Sequence, residues 1–115
     1  GELVITPVRG KHVGPIILLH IRAGNIDIFH GGDSSYVPLK NLKAGLAFLP
    51  AGDPSPTASP DDALKMALDL GPKVIVAIHG SDKQYQQLAA KLKTALPTVS
   101  VIIPQPRTLN VVKIR

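Results

Sequence analysis

The sequence predicts an α/β fold: a mixed β-sheet with two helices against one face. Short runs of Ile, Val and Leu, separated by glycine-containing breaks, fill the first half of the chain and are typical of β-strands. After residue 45, strand-length apolar runs alternate with two helix-length amphipathic segments, the pattern of parallel strands joined by right-handed crossovers. The 115 residues, 44% of them apolar, suffice for the core of one domain, 1–115.

The predicted strands fall into two groups. In the first group, Gly24-Asn25 is a two-residue hairpin signal, so the strands on either side of it are expected to be antiparallel. In the second group, the run 74–78 is continuously apolar, which indicates a strand covered on both faces. The predicted strands cover residues 3–8, 16–22, 26–29, 45–49, 74–78, 99–103 and 109–114.

Residues that favour helix ends delimit the two predicted helices. Ser59 is a helix N-cap with Pro60 at the first helical position, and Gly71 followed by proline stops this helix. Ser81 opens a second helix with a capping box, and Pro97 ends it. Four prolines predict an irregular loop over 50–60. The expected buried residues are Ala63, Met66, Ala67 and Leu70 in the first helix, and Tyr85, Leu88, Ala89, Leu92 and Leu96 in the second.

Composition excludes several classes of site. The chain has no cysteine, so disulfides, zinc fingers, thiolate nucleophiles and iron–sulfur ligation are ruled out, and any metal must bind histidine and carboxylate. No apolar run approaches the roughly 20 residues of a membrane-spanning helix. No secretory signal pattern is evident, and we therefore expect a cytoplasmic protein. Eleven prolines and one methionine agree with the amino-acid composition typical of proteins from thermophiles.

The net charge of +5 leaves nucleic-acid binding open without supporting it strongly. Lysine and arginine are spread along the chain, and two Phe and two Tyr provide few aromatic rings on which bases could stack. Other catalytic patterns are missing: the sequence has no Gly-x-Ser-x-Gly elbow, no phosphate loop and no Gly-x-Gly-x-x-Gly. Nucleic acid is therefore an unlikely partner.

Three metal-competent side chains share one arrangement, because each follows the end of an apolar strand. His12 comes after strand 3–8, Asp33 after strand 26–29, and His79 directly after strand 74–78. Carboxyl ends of strands meet at a common rim of such sheets, where ligands and catalytic groups assemble. Two imidazoles and a carboxylate there would suit zinc, manganese or iron, and the carboxylate could bridge two ions.

Each candidate also has a purely structural interpretation. Asp33, after two glycines, could be an Asx-turn residue, and His79 could belong to an ordinary strand-to-helix turn. His30 could support a ligand side chain or be a simple polar residue. His20 lies inside an apolar strand and is expected to be structural.

The segment 26–36, Ile-Asp-Ile-Phe-His-Gly-Gly-Asp-Ser-Ser-Tyr, resembles the strand and Gly-Asp-Ser/Thr loop of metallo-β-lactamase-fold hydrolases, especially the ascorbate-phosphate lactonase-like branch. Segment 46–52 is similar to the strand and loop that follow in that branch. Segment 73–80 looks like the late strand that ends in the last metal-ligand histidine. The order and spacing of these pieces agree over most of the chain. The resemblance implies half of an αββα sandwich, the C-terminal half.

The resemblance also assigns roles to the candidate residues. Asp33 would be the bridging carboxylate at the catalytic centre, His79 the last histidine ligand, and His12 the middle one, with zinc, manganese or iron as the metal. The upstream His-x-His-x-Asp-His segment of the family is missing, and the four histidines show no such spacing. A chain with only the second half keeps too few ligands for a tight binuclear site, which leaves metal occupancy and enzymatic activity open.

Two explanations follow from this departure. The chain is either a fragment whose N-terminal half is another segment or subunit, or a free-standing half-domain that has lost hydrolysis. We expect the exposed sheet face or edge to make it a dimer or to bind the missing half. The first functional hypothesis is a hydrolase half, inactive alone, acting on a small molecule. The alternative is a non-catalytic binding or assembly module. The fold hosts lactonases, phosphodiesterases and nucleases, so the substrate is open.

Overall fold

The computed structural model describes residues 1–52 and 58–113. Within these residues the chain forms six strands and two helices, and most of the predicted elements are confirmed with shifts of one or two residues at their ends. In chain order they are β1 (Leu3–Arg9), β2 (Ile17–Ala23), β3 (Ile26–His30), β4 (Leu46–Pro50), α1 (Pro60–Leu70), β5 (Val74–Ile78), α2 (Asp82–Ala95) and β6 (Ser100–Ile102).

The strands lie side by side in chain order in one mixed sheet. β1, β2 and β3 pair antiparallel, and β3 to β6 pair parallel. The predicted hairpin is confirmed: Gly24 adopts a left-handed backbone (φ 62°) in the two-residue turn between β2 and β3. Because β4, β5 and β6 step across the sheet in one direction through helical crossovers, α1 and α2 lie on the same face, where they contact each other.

The predicted closing strand 109–114 is wrong over residues 109–113, and Ile114 lies outside the described residues. β6 ends at Ile102, and the prolines at 104 and 106 prevent the ladder from continuing. The irregular segment that follows runs over the sheet, where Pro104, Asn110 and Val112 line a cavity together with Leu46, Phe48, Val76 and Ile102.

Both helices begin as the sequence predicts, with capping boxes. At α2 the Ser81 hydroxyl accepts a hydrogen bond from the Gln84 amide, and the Gln84 side chain accepts one from the Ser81 amide. At α1, Asp62 takes the role of Gln84 opposite Ser59, a reciprocal pair that the sequence pattern had not indicated. Gly71 closes α1 in a left-handed conformation. The buried faces are as expected, with Ala63, Met66, Ala67, Leu70, Leu88 and Leu92 fully buried and Tyr85, Ala89 and Leu96 partly so.

The sheet is apolar on both faces. The face under the helices carries buried residues such as Leu18, Phe29, Leu49 and Ile75. Side chains alternate along a strand, so their neighbours in sequence point the other way. We call that opposite side the open face, and define it by Ile17, Leu19, Ile21, Ile28, Leu46, Phe48, Val76 and Ile102. Ile17 is 66% exposed. A sheet that is covered on one side only usually alternates apolar with polar residues along its strands. The apolar residues on both sides therefore predict that the open face also packs against other residues.

One buried carboxylate fixes the long β3–β4 connection onto α1. Asp69 accepts hydrogen bonds from the Tyr36 hydroxyl (2.7 Å) and from the Leu39 amide (2.9 Å), and Lys43 donates to the Asp69 carbonyl (3.2 Å). The hydrogen bond to Asp69 raises the pKa of Tyr36, with burial acting in the same direction, because both favour the neutral phenol. No helix in the described ranges has the length and apolar content to cross a bilayer.

The link between Tyr36 and Asp69 can be tested by titration, because the chain has only two tyrosines. In a Tyr85→Phe variant, absorbance near 295 nm should give a titration midpoint for Tyr36 above about 10. Adding Asp69→Asn should lower the midpoint. Since the pKa is raised in the folded state, the interaction contributes stability below about pH 10 that is lost as pH rises further. An unchanged midpoint in the double variant would contradict this account.

Candidate metal site

The structure brings the three predicted side chains together at one edge of the sheet. β1 runs in the same direction as β3 and β5, so the chain leaves all three strands at the same edge. His12 Nε2 lies 3.7 Å from Asp33 Oδ2, and His79 Nδ1 lies 3.9 Å from Asp33 Oδ1. The two imidazoles therefore approach different oxygens of one carboxylate.

The His12 loop and the Asp33 loop are tied together by their neighbours. The Ser35 amide donates to the Lys11 carbonyl (2.8 Å), and the fully buried Ser34 hydroxyl accepts a hydrogen bond from the Lys11 amide (2.8 Å). Sequence reasoning missed Ser34, because its partner is 23 residues away and no local pattern indicates the pairing. These bonds set the separation between His12 and Asp33.

The two glycines before Asp33 are required by the backbone. The Gly31 amide donates to the Phe48 carbonyl (2.8 Å), and a Cβ on Gly31 would lie 2.9 Å from the Pro50 ring. Gly32 has φ 55°, a left-handed conformation that favours glycine. The chain can therefore turn sharply after β3 and present Asp33 at the edge.

His79 is held in a strained conformation directly after β5. Its φ is 55°, which is uncommon for a residue with a side chain. The following Gly80 packs against the Ala51 carbonyl so closely that a Cβ would overlap it, and the Gly80 amide donates to the Tyr85 hydroxyl (2.9 Å). The contacts of Gly80 leave His79 little freedom to relax.

The strain at His79 gives a matched pair of substitutions. His79→Gly should be more stable to urea than His79→Ala by about 1 kcal/mol, because glycine adopts a left-handed conformation without the penalty that alanine meets. At His30, which lies in a β-strand, the order should reverse, since glycine weakens a strand. Equal stability of the two His79 variants would show that the left-handed conformation carries no strain.

The donor set and its surroundings fit a metal ion. The side chains of His12, Asp33 and His79 are 20%, 31% and 50% exposed. Asp33 Oδ1 is buried and accepts no hydrogen bond from the described residues. Two atoms bound to one ion at about 2.1 Å each lie no more than about 4.2 Å apart, and both histidine–carboxylate distances fall within that span.

The arrangement is nevertheless two pairs that share Asp33. Across residues 1–52 and 58–113, no three or more His, Asp or Glu side chains close around one point as a ready metal cage. Each pair alone offers one imidazole nitrogen and one carboxylate oxygen, fewer than the three or four protein ligands of ordinary zinc sites. Further ligands would have to come from elsewhere.

The other two histidines, His30 and His20, have different roles. His30 Nδ1 accepts a hydrogen bond from the Gly32 amide (3.0 Å), and the His30 ring stacks on Phe48 with centroids 5.3 Å apart. Burial lowers the pKa of His30, and the nearby charge of His79 lowers it further, so His30 favours its neutral form. His20, as expected, is structural: it is buried, and its Nε2 donates to the Lys43 carbonyl (2.8 Å).

The chain is similar in structure to metallo hydrolases and to proteins of the metallo-β-lactamase fold. A metallo hydrolase from the hyperthermophilic archaeon Ignicoccus hospitalis aligns with a TM-score of 0.77 and 21% identity over 90% of this chain and 50% of its own. The metallo-β-lactamase fold protein YhfI from Bacillus subtilis gives 0.73 and 18% over 89% of this chain and 47% of its own. The short form of human tRNase Z gives 0.70 and 20% over 99% and 43%, respectively.

No protein-family model matches the sequence, and no curated protein is similar enough to count as a relative. At identities near 20% the structural likeness establishes the fold. The chain spans about half the length of the structures that it matches. It therefore has the architecture of about half of a metallo-β-lactamase-fold protein, which confirms the predicted fold class.

Proposed function

We propose that this chain is one half of a metal-dependent hydrolase site, with His12, Asp33 and His79 as metal ligands and Asp33 as the bridging carboxylate. One observation carries the proposal: the two oxygens of Asp33 face two different imidazoles, at 3.7 and 3.9 Å. A carboxylate that binds one ion through each oxygen needs this placement. A simple Asx-turn aspartate would instead accept backbone hydrogen bonds, and Asp33 Oδ1 accepts none from the described residues.

The proposed ligands and His30 would have different roles at the site. His12 and His79 would offer imidazole nitrogens as donors, and Asp33 would supply negative charge that compensates a divalent ion. Nitrogen and oxygen donors suit zinc best, with manganese or iron as alternatives. When bound, such a metal polarises the substrate and activates water for hydrolysis. His30, through its hydrogen bond with the Gly32 amide, supports the backbone that presents Asp33.

The missing ligands are expected to come from a partner that covers the open face. Apart from His30, this face is apolar across β2 to β5, and it ends at the edge that carries Asp33 and His79. A complementary half packed there would bring its own side chains to the same edge. In this proposal the chain is the C-terminal half, inactive without the other, and its small-molecule substrate is open, since the fold hosts lactonases, phosphodiesterases and nucleases.

The alternative is an assembly module that retains the fold without hydrolysis. It is favoured by the absence of a three-ligand cage within the described ranges, together with the apolar open face. In that case Asp33 would serve only to order the loops around it. Metal binding separates the two functions.

Metal uptake tests the proposed ligands. Titration calorimetry with zinc or manganese on the intact chain should detect stoichiometric binding, weaker than that of ordinary zinc sites because the chain supplies only part of the ligand set. The Asp33→Ala, His79→Ala double variant should lose it, because at most one strong donor, His12, remains. We expect an affinity loss of at least about 100-fold, as removal of metal ligands exceeds the effect of removing their supporting partners.

Asp61→Asn is the matched control, because Asp61 is a surface carboxylate of α1 that pairs with Lys91. It should bind metal as the unaltered chain does. Circular dichroism of the double variant should remain that of the folded protein. Absence of uptake by the unaltered chain, or equal uptake by the double variant, would reject the ligand assignment and favour the assembly module.

A further inference from the structure

We propose that the chain pairs with a second copy of itself through the free edge of β1, with the two β1 strands antiparallel and Val4 opposite Val4. β1 is the first strand of the six-stranded order, so one of its sides carries no strand among the described residues. The pairing groups are backbone amides and carbonyls at the edge, although the Leu3 and Ile5 side chains lie on the same side of the sheet as the open face. The edge is not part of the candidate metal site, and the proposal does not depend on the proposed function.

The phase of the β1–β2 ladder shows which backbone groups of β1 face outward. The Gly10 amide donates to the Ile16 carbonyl (3.0 Å), which makes these two a hydrogen-bonded pair. The register is uniform along β1, so hydrogen-bonded pairs recur at every second residue: Val8, Thr6 and Val4 bond to β2. The amides and carbonyls of the alternate residues, Leu3, Ile5 and Arg9, therefore point away from the sheet.

Pro7 fits this phase and limits the pairing. Pro7 is one of the residues whose backbone groups point away from β2. Its missing amide hydrogen therefore removes no hydrogen bond from the β1–β2 ladder. It also cannot donate to a new strand at that point. Proline and charged side chains such as Arg9 are the usual means of protecting an edge strand, and here they protect only its second half. Leu3 and Ile5 are left with free donors and acceptors.

The side chains of the unprotected half are apolar on both faces of the strand. Leu3, Val4 and Ile5 are 67%, 53% and 56% exposed. In the proposed register, Leu3 of one copy lies opposite Ile5 of the other, which allows four backbone hydrogen bonds across the two-fold axis. Val4 then faces Val4 on the other side of the sheet. Every cross-strand contact in this segment joins apolar side chains, which stabilises the pair.

A register centred on Thr6 would overlap more of the strand but is less favourable. It would place Arg9 opposite Leu3, and Pro7 would face Ile5 without donating a hydrogen bond. A two-fold pair uses the same segment twice, and the Leu3–Ile5 segment is complementary to itself, which is what a closed dimer requires. The second copy is therefore the occupant that the edge fits.

The register can be tested by disulfide formation, because the chain has no cysteine. Val4 opposite Val4 would be a non-hydrogen-bonded pair, whose Cα atoms lie about 4.5 Å apart, within the range of a disulfide. Val4→Cys should form a covalent dimer under mild oxidation at micromolar concentration, at least about tenfold faster than Val13→Cys. Val13 is the control, since it is 83% exposed in the β1–β2 loop.

Sedimentation of two further variants separates the edge from the open face. Ile5→Pro removes an outward amide that the β1–β2 ladder does not use, and should raise the dimer dissociation constant at least about tenfold by removing two of the four hydrogen bonds. Ile17→Lys, on the open face, should leave the dimer intact. The proposal is overturned if the unaltered chain is monomeric at about 100 μM, if the two cysteine variants oxidise equally fast, or if Ile17→Lys dissociates the dimer while Ile5→Pro does not.

Discussion

The parallel register of β3, β4 and β5 is the constraint on which the rest of the structure depends. His30, Phe48 and Val76 lie level with one another across the three strands. Asp33 follows three residues after the first of these and His79 three residues after the last, so both reach the edge at the same height. A slip of one residue would move a side chain by about 3.3 Å and turn it to the opposite face. The packing that fixes the register therefore also sets the separation within the candidate site.

Small and medium apolar residues hold this register. Ala47, Leu49, Ile75 and Ala77 are all fully buried on the face that carries the helices, and α1 lies close to β4. A slip would bury the open-face residues in their place and leave a poorly packed core. The packing of the core and the geometry of the candidate site therefore depend on the same residues. Substitutions at Ala47 or Ala77 would disturb both.

Much of the fold was readable from the sequence because the signals were local. The hairpin at Gly24, the caps at Ser59 and Ser81 and the apolar run of β5 each depend on a few adjacent residues. The convergence of His12, Asp33 and His79 was also predictable, because strand ends in such sheets share a rim. In each of these cases the residue types and their order along the chain are enough to predict the structure.

Other features depend on tertiary contacts. The hydrogen bonds of Ser34 to Lys11 and of Tyr36 to Asp69 join residues 23 and 33 positions apart, and no spacing rule predicts them. The segment 109–113 has the composition of a strand, but the prolines before it interrupt the ladder, and Asn110 and Val112 line a cavity on the open face. Strand propensity reflects the surface on which a segment packs, and this segment packs on a sheet face instead of joining a ladder.

Two surfaces of the sheet are proposed to bind different partners: the open face and the edge of β1. The open face is a broad apolar layer, of which the C-terminal segment covers the part near Phe48 and Val76 while Ile17 and Leu19 stay exposed. Covering such a layer requires another sheet or helices of matching extent. The β1 edge is narrow, and its backbone groups specify an extended strand. In the two proposals, a complementary half would cover the face and supply further metal ligands around Asp33, and a second copy of β1 would pair with the edge.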